Sequence, residues 1–126
     1  MDFDLKQGIE GKLEIIVGIN DTAAKYGSGL VEVYATPAMI GLMENTSQKS
    51  VQKYLPEGFI TLGIEVNIKH IKATPIGMKV NCTSKLIDVD GRKLTFSVDA
   101  HDEKGPIGTG THTRFIVDAK KFMEKL

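Results

Sequence analysis

The chain's 126 residues make one domain, 1–126, and a hydrophobic content of 41% supplies one core and excludes a disordered chain. A domain this short buries a limited core, so a dimer interface would add stability. Lys and Arg number 16 and Asp and Glu 16, which excludes a net field that would draw in nucleic acid or a membrane surface.

Cys82 is the one cysteine, so no intramolecular disulfide forms. The start, Met1-Asp2-Phe3-Asp4-Leu5-Lys6, lacks the basic segment and apolar run of a signal peptide. No apolar run nears the roughly 20 residues of a membrane span. A soluble cytoplasmic protein is the expectation.

Leu13, Ile15, Val17 and Ile19 alternate with Lys12, Glu14, Ile16 and Gly18 and predict a first strand. Asn20 to Gly29 is polar and small and reads as a mobile loop. Leu30 to Tyr34 reads as a short extended piece. Thr36-Pro37 opens the internal helix, with Thr36 as N-cap and Pro37 at the first helical position. Met39, Ile40, Leu42 and Met43 follow at helical spacing, and the helix runs to about Lys53 or Tyr54, before Pro56-Glu57-Gly58. Its capping box is incomplete, because Met39 stands where Glu or Gln would be.

Phe59 to His70 alternates cleanly. Ile60, Leu62, Ile64, Val66 and Ile68 share one face with His70, and Thr61, Gly63, Glu65, Asn67 and Lys69 share the other. Thr74-Pro75-Ile76-Gly77 turns the chain. Met78, Val80, Cys82 and Leu86 line the next strand, and Asp90-Gly91 signals a two-residue hairpin. Leu94, Phe96, Val98 and Ala100 face inward on the strand after it. Glu103-Lys104-Gly105-Pro106 turns again, Ile107 to Val117 is the last strand, and Asp118 to Leu126 is a short charged helix. Strands with one apolar face need a cover. One long helix wrapped in a curved antiparallel sheet supplies it, an α+β arrangement known as the hotdog fold.

His70 ends the apolar row of its strand. Desolvation there lowers an imidazole's pKa and keeps it neutral, able to accept a proton near pH 7. The plainer alternative is a core histidine satisfied by a backbone carbonyl. Glu44 borders the apolar helix face, where a carboxylate orients a histidine or acts as a base; alone, it reads as a helix-edge residue pointing to water. Thr36 offers a hydroxyl nucleophile or a water holder, against its reading as an ordinary cap. Thr36 and Glu44 are eight residues apart, about 12 Å along a helix, and cannot touch. Helical side chains lean toward the N-terminus, which leaves roughly 8 Å, enough for the His70 imidazole to bridge them from either protomer.

Gly63, inside a strand, marks a close backbone approach by a substrate. Arg114 would bind a phosphate or pair with a carboxylate; read alone it is a surface strand charge. His101 and His112 have no carboxylate or cysteine at zinc-ligand spacing, so no metal is expected. Cys82 reads as a small core residue, and Gly108-Thr109-Gly110-Thr111 lacks the lysine and helix of a phosphate-binding loop.

Ala35-Thr36-Pro37-Ala38-Met39 with Leu42-Met43-Glu44, Leu55-Pro56-Glu57-Gly58 and Gly63 to His70 resembles the hotdog thioesterases of the fluoroacetyl-CoA type. Thr74-Pro75-Ile76-Gly77-Met78, Ala100-His101-Asp102, and Ile107-Gly108 through Thr111-His112-Thr113-Arg114-Phe115 extend the resemblance over about residues 10 to 117. It implies a homodimer, which in hotdog proteins often pairs into a tetramer, with active sites at the interface. It implies catalytic roles for Thr36, Glu44 and His70 and substrate-binding roles for Gly63 and Arg114. It implies no cofactor, since coenzyme A is part of the substrate. A fluoroacetyl-specific member would close its pocket with aromatic residues before the helix. Here Lys25-Tyr26-Gly27-Ser28-Gly29-Leu30 holds one ring, so a short or medium acyl-CoA is the expected substrate.

The expected chemistry is hydrolysis of the thioester to free acid and CoA. His70, held by Glu44, takes a proton from Thr36 or from a water, and backbone N–H groups near Gly63 or the helix start steady the oxyanion. Two rivals stand beside it. An enoyl-CoA hydratase or dehydratase would use an Asp–His pair, and no convincing Asp lies beside His70. A non-catalytic acyl-CoA or small-ligand binding module would bind without turnover.

Overall fold

The computed structural model describes residues 3–126. In chain order it contains β1 (Glu10–Ile16), a 3-10 turn (Ile19–Asp21), α1 (Ala23–Tyr26), α2 (Thr36–Gln52), β2 (Phe59–His70), β3 (Lys79–Asp90), β4 (Lys93–Asp102), β5 (Gly105–Asp118) and α3 (Ala119–Glu124). The five strands form one antiparallel sheet in the order β1-β3-β4-β5-β2, and α2 packs across it. None of the helices among the described residues is long and apolar enough to cross a membrane.

The core lies between α2 and the sheet. Met39, Leu42, Met43 and Val51 of α2 are buried against Val80, Cys82 and Leu86 of β3 and the row Leu94, Phe96, Val98 and Ala100 of β4. Burial of a side chain of this size contributes about 2 kcal/mol of transfer free energy, so the packing and not intrinsic propensity holds α2 in place. The helix comes close because its inner face is also small. Thr46 and Ser47 donate their hydroxyls to the carbonyls of Leu42 and Met43, at 2.7 and 2.9 Å, and need no partner from the sheet. A Cβ on Gly108 would stand 2.5 Å from the Met39 sulfur, so glycine there lets the helix start sit on β5.

Several expected boundaries shift for local reasons. The first strand begins at Glu10 and stops at Ile16, so Ile19 is not on it. The Asp21 carboxylate accepts the Gly18 N–H at 2.8 Å and winds the chain into the 3-10 turn. Asn20 to Gly29, read as loop, contains that turn and α1, whose first turn Thr22 caps by accepting the Lys25 N–H. Thr36 is not the N-cap of α2. Ala35 takes that place, Thr36 and Pro37 are the first two helical residues, and the Thr36 hydroxyl is turned to another partner. In the β3–β4 hairpin Asp90 pairs with Lys93, so the turn residues are Gly91 and Arg92. Gly91 supplies the positive φ of 60° that such a turn needs at its first position.

The largest departure is in β2. Its limits are those read from the sequence, but its register against β5 shifts between Gly63 and Glu65. Ile64 is the extra residue of a β-bulge, and a bulge reverses which side chains face the core. Ile68 and His70 face α2 after it, as the alternation predicts. Before it Thr61 and Gly63, read as the outer face, are the residues turned inward.

The segment leaving His70 is tied down by Asp102 at the end of β4. Its carboxylate accepts from the Lys104 N–H at 2.8 Å, the Thr74 hydroxyl at 2.9 Å and the Lys72 ammonium at 3.3 Å. Burial raises the pKa of this carboxyl, and the three donors together outweigh it and hold it below the ordinary value of 3.8. Its contribution is therefore complete above that value and drains away as pH falls through the lower folded one. Asp102→Ala should destabilise the fold by about 2 kcal/mol in urea titration at pH 7, because the Thr74 hydroxyl is left buried and unpaired. The gap to wild type should narrow toward pH 3. An undiminished gap at pH 3 would rule out the charged carboxylate as its source.

Candidate active site

Two groups of polar side chains flank β2, one at its end and one at its bulge. The first joins the start of α2 to the end of β2. Thr36 Oγ1 lies 2.8 Å from His70 Nδ1. The two residues meet because Gly108, the β5 partner of His70, lets the first turn of α2 press onto the strand. They open on a cleft of about 360 Å3, which Val33, Tyr34, Ile71 and Lys72 also line. Burial lowers the pKa of His70, and the Lys72 backbone pulls the other way without making a hydrogen bond to Nε2. The ring is therefore neutral near pH 7.

Nε2 of His70 is buried and has no hydrogen-bond partner among the described residues. When the Thr36 hydroxyl donates to Nδ1, the neutral ring carries its proton on Nε2. A buried N–H of that kind calls for an acceptor. Within the chain Glu44 does not supply it, since no hydrogen bond joins Glu44 to His70 among the described residues.

Glu44 belongs to the second group. Its Oε2 lies 4.0 Å from Arg114 Nη1, and its side chain is 43% exposed. The pair meets over Gly63, where a Cβ would stand 2.7 Å from Glu44 Oε2 and 3.4 Å from Arg114 Nη1. The glycine is needed for close approach, and what approaches in the free chain is the carboxylate.

Arg114 is not the surface strand charge that its position suggests in isolation. It is buried, because the bulge aligns it with Gly63 on the inner face. Its Nε donates to Thr61 Oγ1 at 2.7 Å, Nη2 to the Thr61 carbonyl at 2.8 Å and Nη1 to His112 Nε2 at 3.1 Å. Burial lowers its pKa and Glu44 opposes the shift, so the guanidinium keeps its charge.

Thr61 and His112 are members of this group that the sequence reading did not select. The available signal was spacing. Each lies two residues before a chosen position, Gly63 and Arg114, and so shares its strand face.

The family model for FlK, fluoroacetyl-CoA-specific thioesterase, matches residues 17–120. A fluoroacetyl-CoA thioesterase of Streptantibioticus cattleyicolor is 41% identical over 95 residues, which is 75% of this chain and 68% of that one. The crystal structure of a point mutant of FlK in complex with fluoroacetate and CoA superposes with a TM-score of 0.88 at 33% identity, covering 94% of this chain and 99% of that one. A thioesterase superfamily member from Thermus thermophilus superposes with a TM-score of 0.88 at 28% identity, over 95% of this chain and 89% of that one. The likeness covers the hotdog fold as a whole.

Proposed function

The chain belongs to the fluoroacetyl-CoA-specific thioesterase family, and on that premise we infer that it is an acyl-CoA thioesterase working as a homodimer on short or medium acyl groups. The observation that carries the reading is the 2.8 Å contact between Thr36 Oγ1 and His70 Nδ1 at the mouth of a cleft. A hydroxyl on a neutral imidazole is the start of acyl transfer.

His70 takes the Thr36 proton as Oγ1 attacks the thioester carbonyl. The C–S bond breaks, and the CoA sulfur leaves with the proton from the imidazole. A water, deprotonated by the same ring, then attacks the Thr36 ester, the C–Oγ1 bond breaks to release the acid, and the ring returns the proton to Oγ1. In the one-step variant water takes the place of Thr36, and the hydroxyl only holds it. Single-turnover hydrolysis by Thr36→Ala separates the two routes. The N–H groups in the first turn of α2, at the positive end of the helix, would steady the oxyanion.

Three features support a dimer across β2. One edge of this 12-residue strand is unpaired in the single chain, Ile64 and Val66 are exposed on it, and His70 Nε2 lacks an acceptor. An antiparallel pairing of two β2 strands centred on Asn67, with Ile64 the extra residue of each, sets His70 of one copy against Gly63 of the other. Glu44 lies over Gly63 and would accept the Nε2 proton there. Such a site is a Thr–His pair from one copy and a carboxylate from the other.

The broader acyl range rests on the segment before α2. Tyr26 and Leu30 are exposed, and the residues of that segment at the cleft are Ala23, Ser28 and Val33. No aromatic ring narrows the opening among these lining residues, other than Tyr34 in its wall. A hydratase reading loses ground because Asp102, which anchors the segment leaving His70, is held by Lys72, Thr74 and Lys104.

The test is CoA release, followed with a thiol dye, from acetyl-, butyryl-, hexanoyl- and phenylacetyl-CoA. Release from more than one ester is expected. Folded protein that releases CoA from none of them would leave the binding-module reading in its place.

A further inference from the structure

His112 is buried in the sheet, stacked on Phe96, and both of its ring nitrogens are engaged. Nδ1 lies 2.8 Å from the carbonyl oxygen of Glu65, so Nδ1 must carry the proton and donate. Nε2 lies 3.1 Å from Arg114 Nη1, which can only donate, so Nε2 must accept. One tautomer of the neutral ring satisfies both bonds. Burial and the Arg114 cation keep the pKa of His112 low, against the Glu65 carbonyl and Glu44, which raise it.

These two bonds link the bulge to the acidic group of the site. Glu65 follows the bulge residue Ile64, so the Nδ1 bond pins the strand where its facing reverses. The bond to His112 Nε2 and the two donated to Thr61 account for most of the Arg114 donors and fix the plane of the guanidinium. Nη1 also lies 4.0 Å from Glu44 Oε2, an ion pair without a direct hydrogen bond.

We propose that His112 is a positioning residue, which together with Thr61 clamps Arg114 so that the guanidinium fixes the Glu44 carboxylate where a His70 imidazole must meet it. This rests on the hydrolytic reading of the site. His112 touches neither substrate nor reacting atoms and acts through Arg114. A free arginine in that place would turn about its last bonds and let Glu44 swing into the open solvent on which it borders. Misplacement of a catalytic partner by about 1 Å costs on the order of 100-fold in rate.

Two substitutions separate the two bonds. In His112→Gln the amide oxygen stands where Nε2 was and accepts from Arg114, while the bond to Glu65 is lost. In His112→Asn the amide nitrogen stands where Nδ1 was and donates to Glu65, while the bond to Arg114 is lost. Both remove the stack on Phe96, so losses of packing cancel between them. His112→Asn should lower kcat for CoA release by roughly 10- to 100-fold with KM nearly unchanged, and His112→Gln should restore kcat to within about threefold of wild type. Nitrogen NMR of the Arg114 guanidinium reads the clamp without substrate. Its two Nη resonances should be separate in wild type and in His112→Gln, and averaged by rotation in His112→Asn. Equal kcat in the two variants, or averaged Nη resonances in wild type, would overturn the proposal. A wild-type protein with a clamped Arg114 and no activity on any ester would instead defeat the hydrolytic reading, and with it the catalytic part of this role.

Discussion

Replacing His70 by alanine should lower kcat for CoA release about a thousandfold, with the protein still folded. The imidazole is in contact with the Thr36 hydroxyl and can take its proton near pH 7. Positioned general bases contribute roughly 100- to 10,000-fold, and a residue that serves both halves of an acyl transfer lies toward the upper part of that range. The pH profile gives a second readout. A base must be neutral to act, and burial sets the folded pKa of His70 below the ordinary 6.5. The acid limb of kcat/KM should therefore be centred below pH 6.5. Stability runs in the same sense. The unfolded chain takes up a proton at its ordinary pKa while the folded ring resists it, so the His70 contribution weakens as pH falls through 6.5. His112 shifts in the same direction, so the His70 share is the difference between wild type and His70→Ala. An alanine variant that kept a tenth of the wild-type rate would remove His70 from the chemistry. An acid limb centred above 6.5 would assign it to another group.

The sequence carries the frame of this site more clearly than its assembly. The row Leu94, Phe96, Val98 and Ala100 is legible as an inner face because period-2 alternation and burial say the same thing four times. The limits of β2 are legible because Pro56-Glu57-Gly58 must precede it. Thr36 and His70 could be paired from the helix start and the end of an apolar row, and the structure does join them. The bulge at Ile64 was not legible. One inserted residue leaves the alternation of Ile60, Leu62, Ile64, Val66 and Ile68 intact in the sequence while reversing its facing in the sheet. The glycine at 63 was the available sign, since glycine in a strand accompanies bulges as well as close approach. Missing it put Gly63 on the outer face, left Arg114 as a surface charge in isolation and hid Thr61 and His112. The cap assignment at Thr36 failed for a different reason. Thr36 is already the first helical residue, so its oxygen does not stand where a cap accepts the N–H groups of the first turn, and its hydroxyl meets the imidazole 34 residues away.

Val66→Asp should split the protein into monomers and reduce CoA release at least a hundredfold while leaving the chain folded. Val66 is 44% exposed in the single chain, and a carboxylate there keeps its water. Across a two-fold axis the substitution enters the interface twice, so two unpaired carboxylates are buried together. Burying one uncompensated charge costs on the order of 3–5 kcal/mol, and a pair facing each other costs more. An interface of ordinary size has no such surplus, so the edge of β2 returns to solvent. Ile64→Asp, at a neighbouring position with 57% exposure, is the control for local effects on the site and should behave alike. The loss of rate then has a definite source. In the monomer Thr36 and His70 keep their contact, and the Nε2 proton has no carboxylate to meet it. Light scattering gives the assembly, thermal melting gives the fold, and dye assays at rising protein concentration give the coupling. Activity per chain should rise with concentration in the weakened variants as dimers re-form. A monomeric variant with full activity would place the whole site within one chain and would require Glu44 to reach His70 by its own movement.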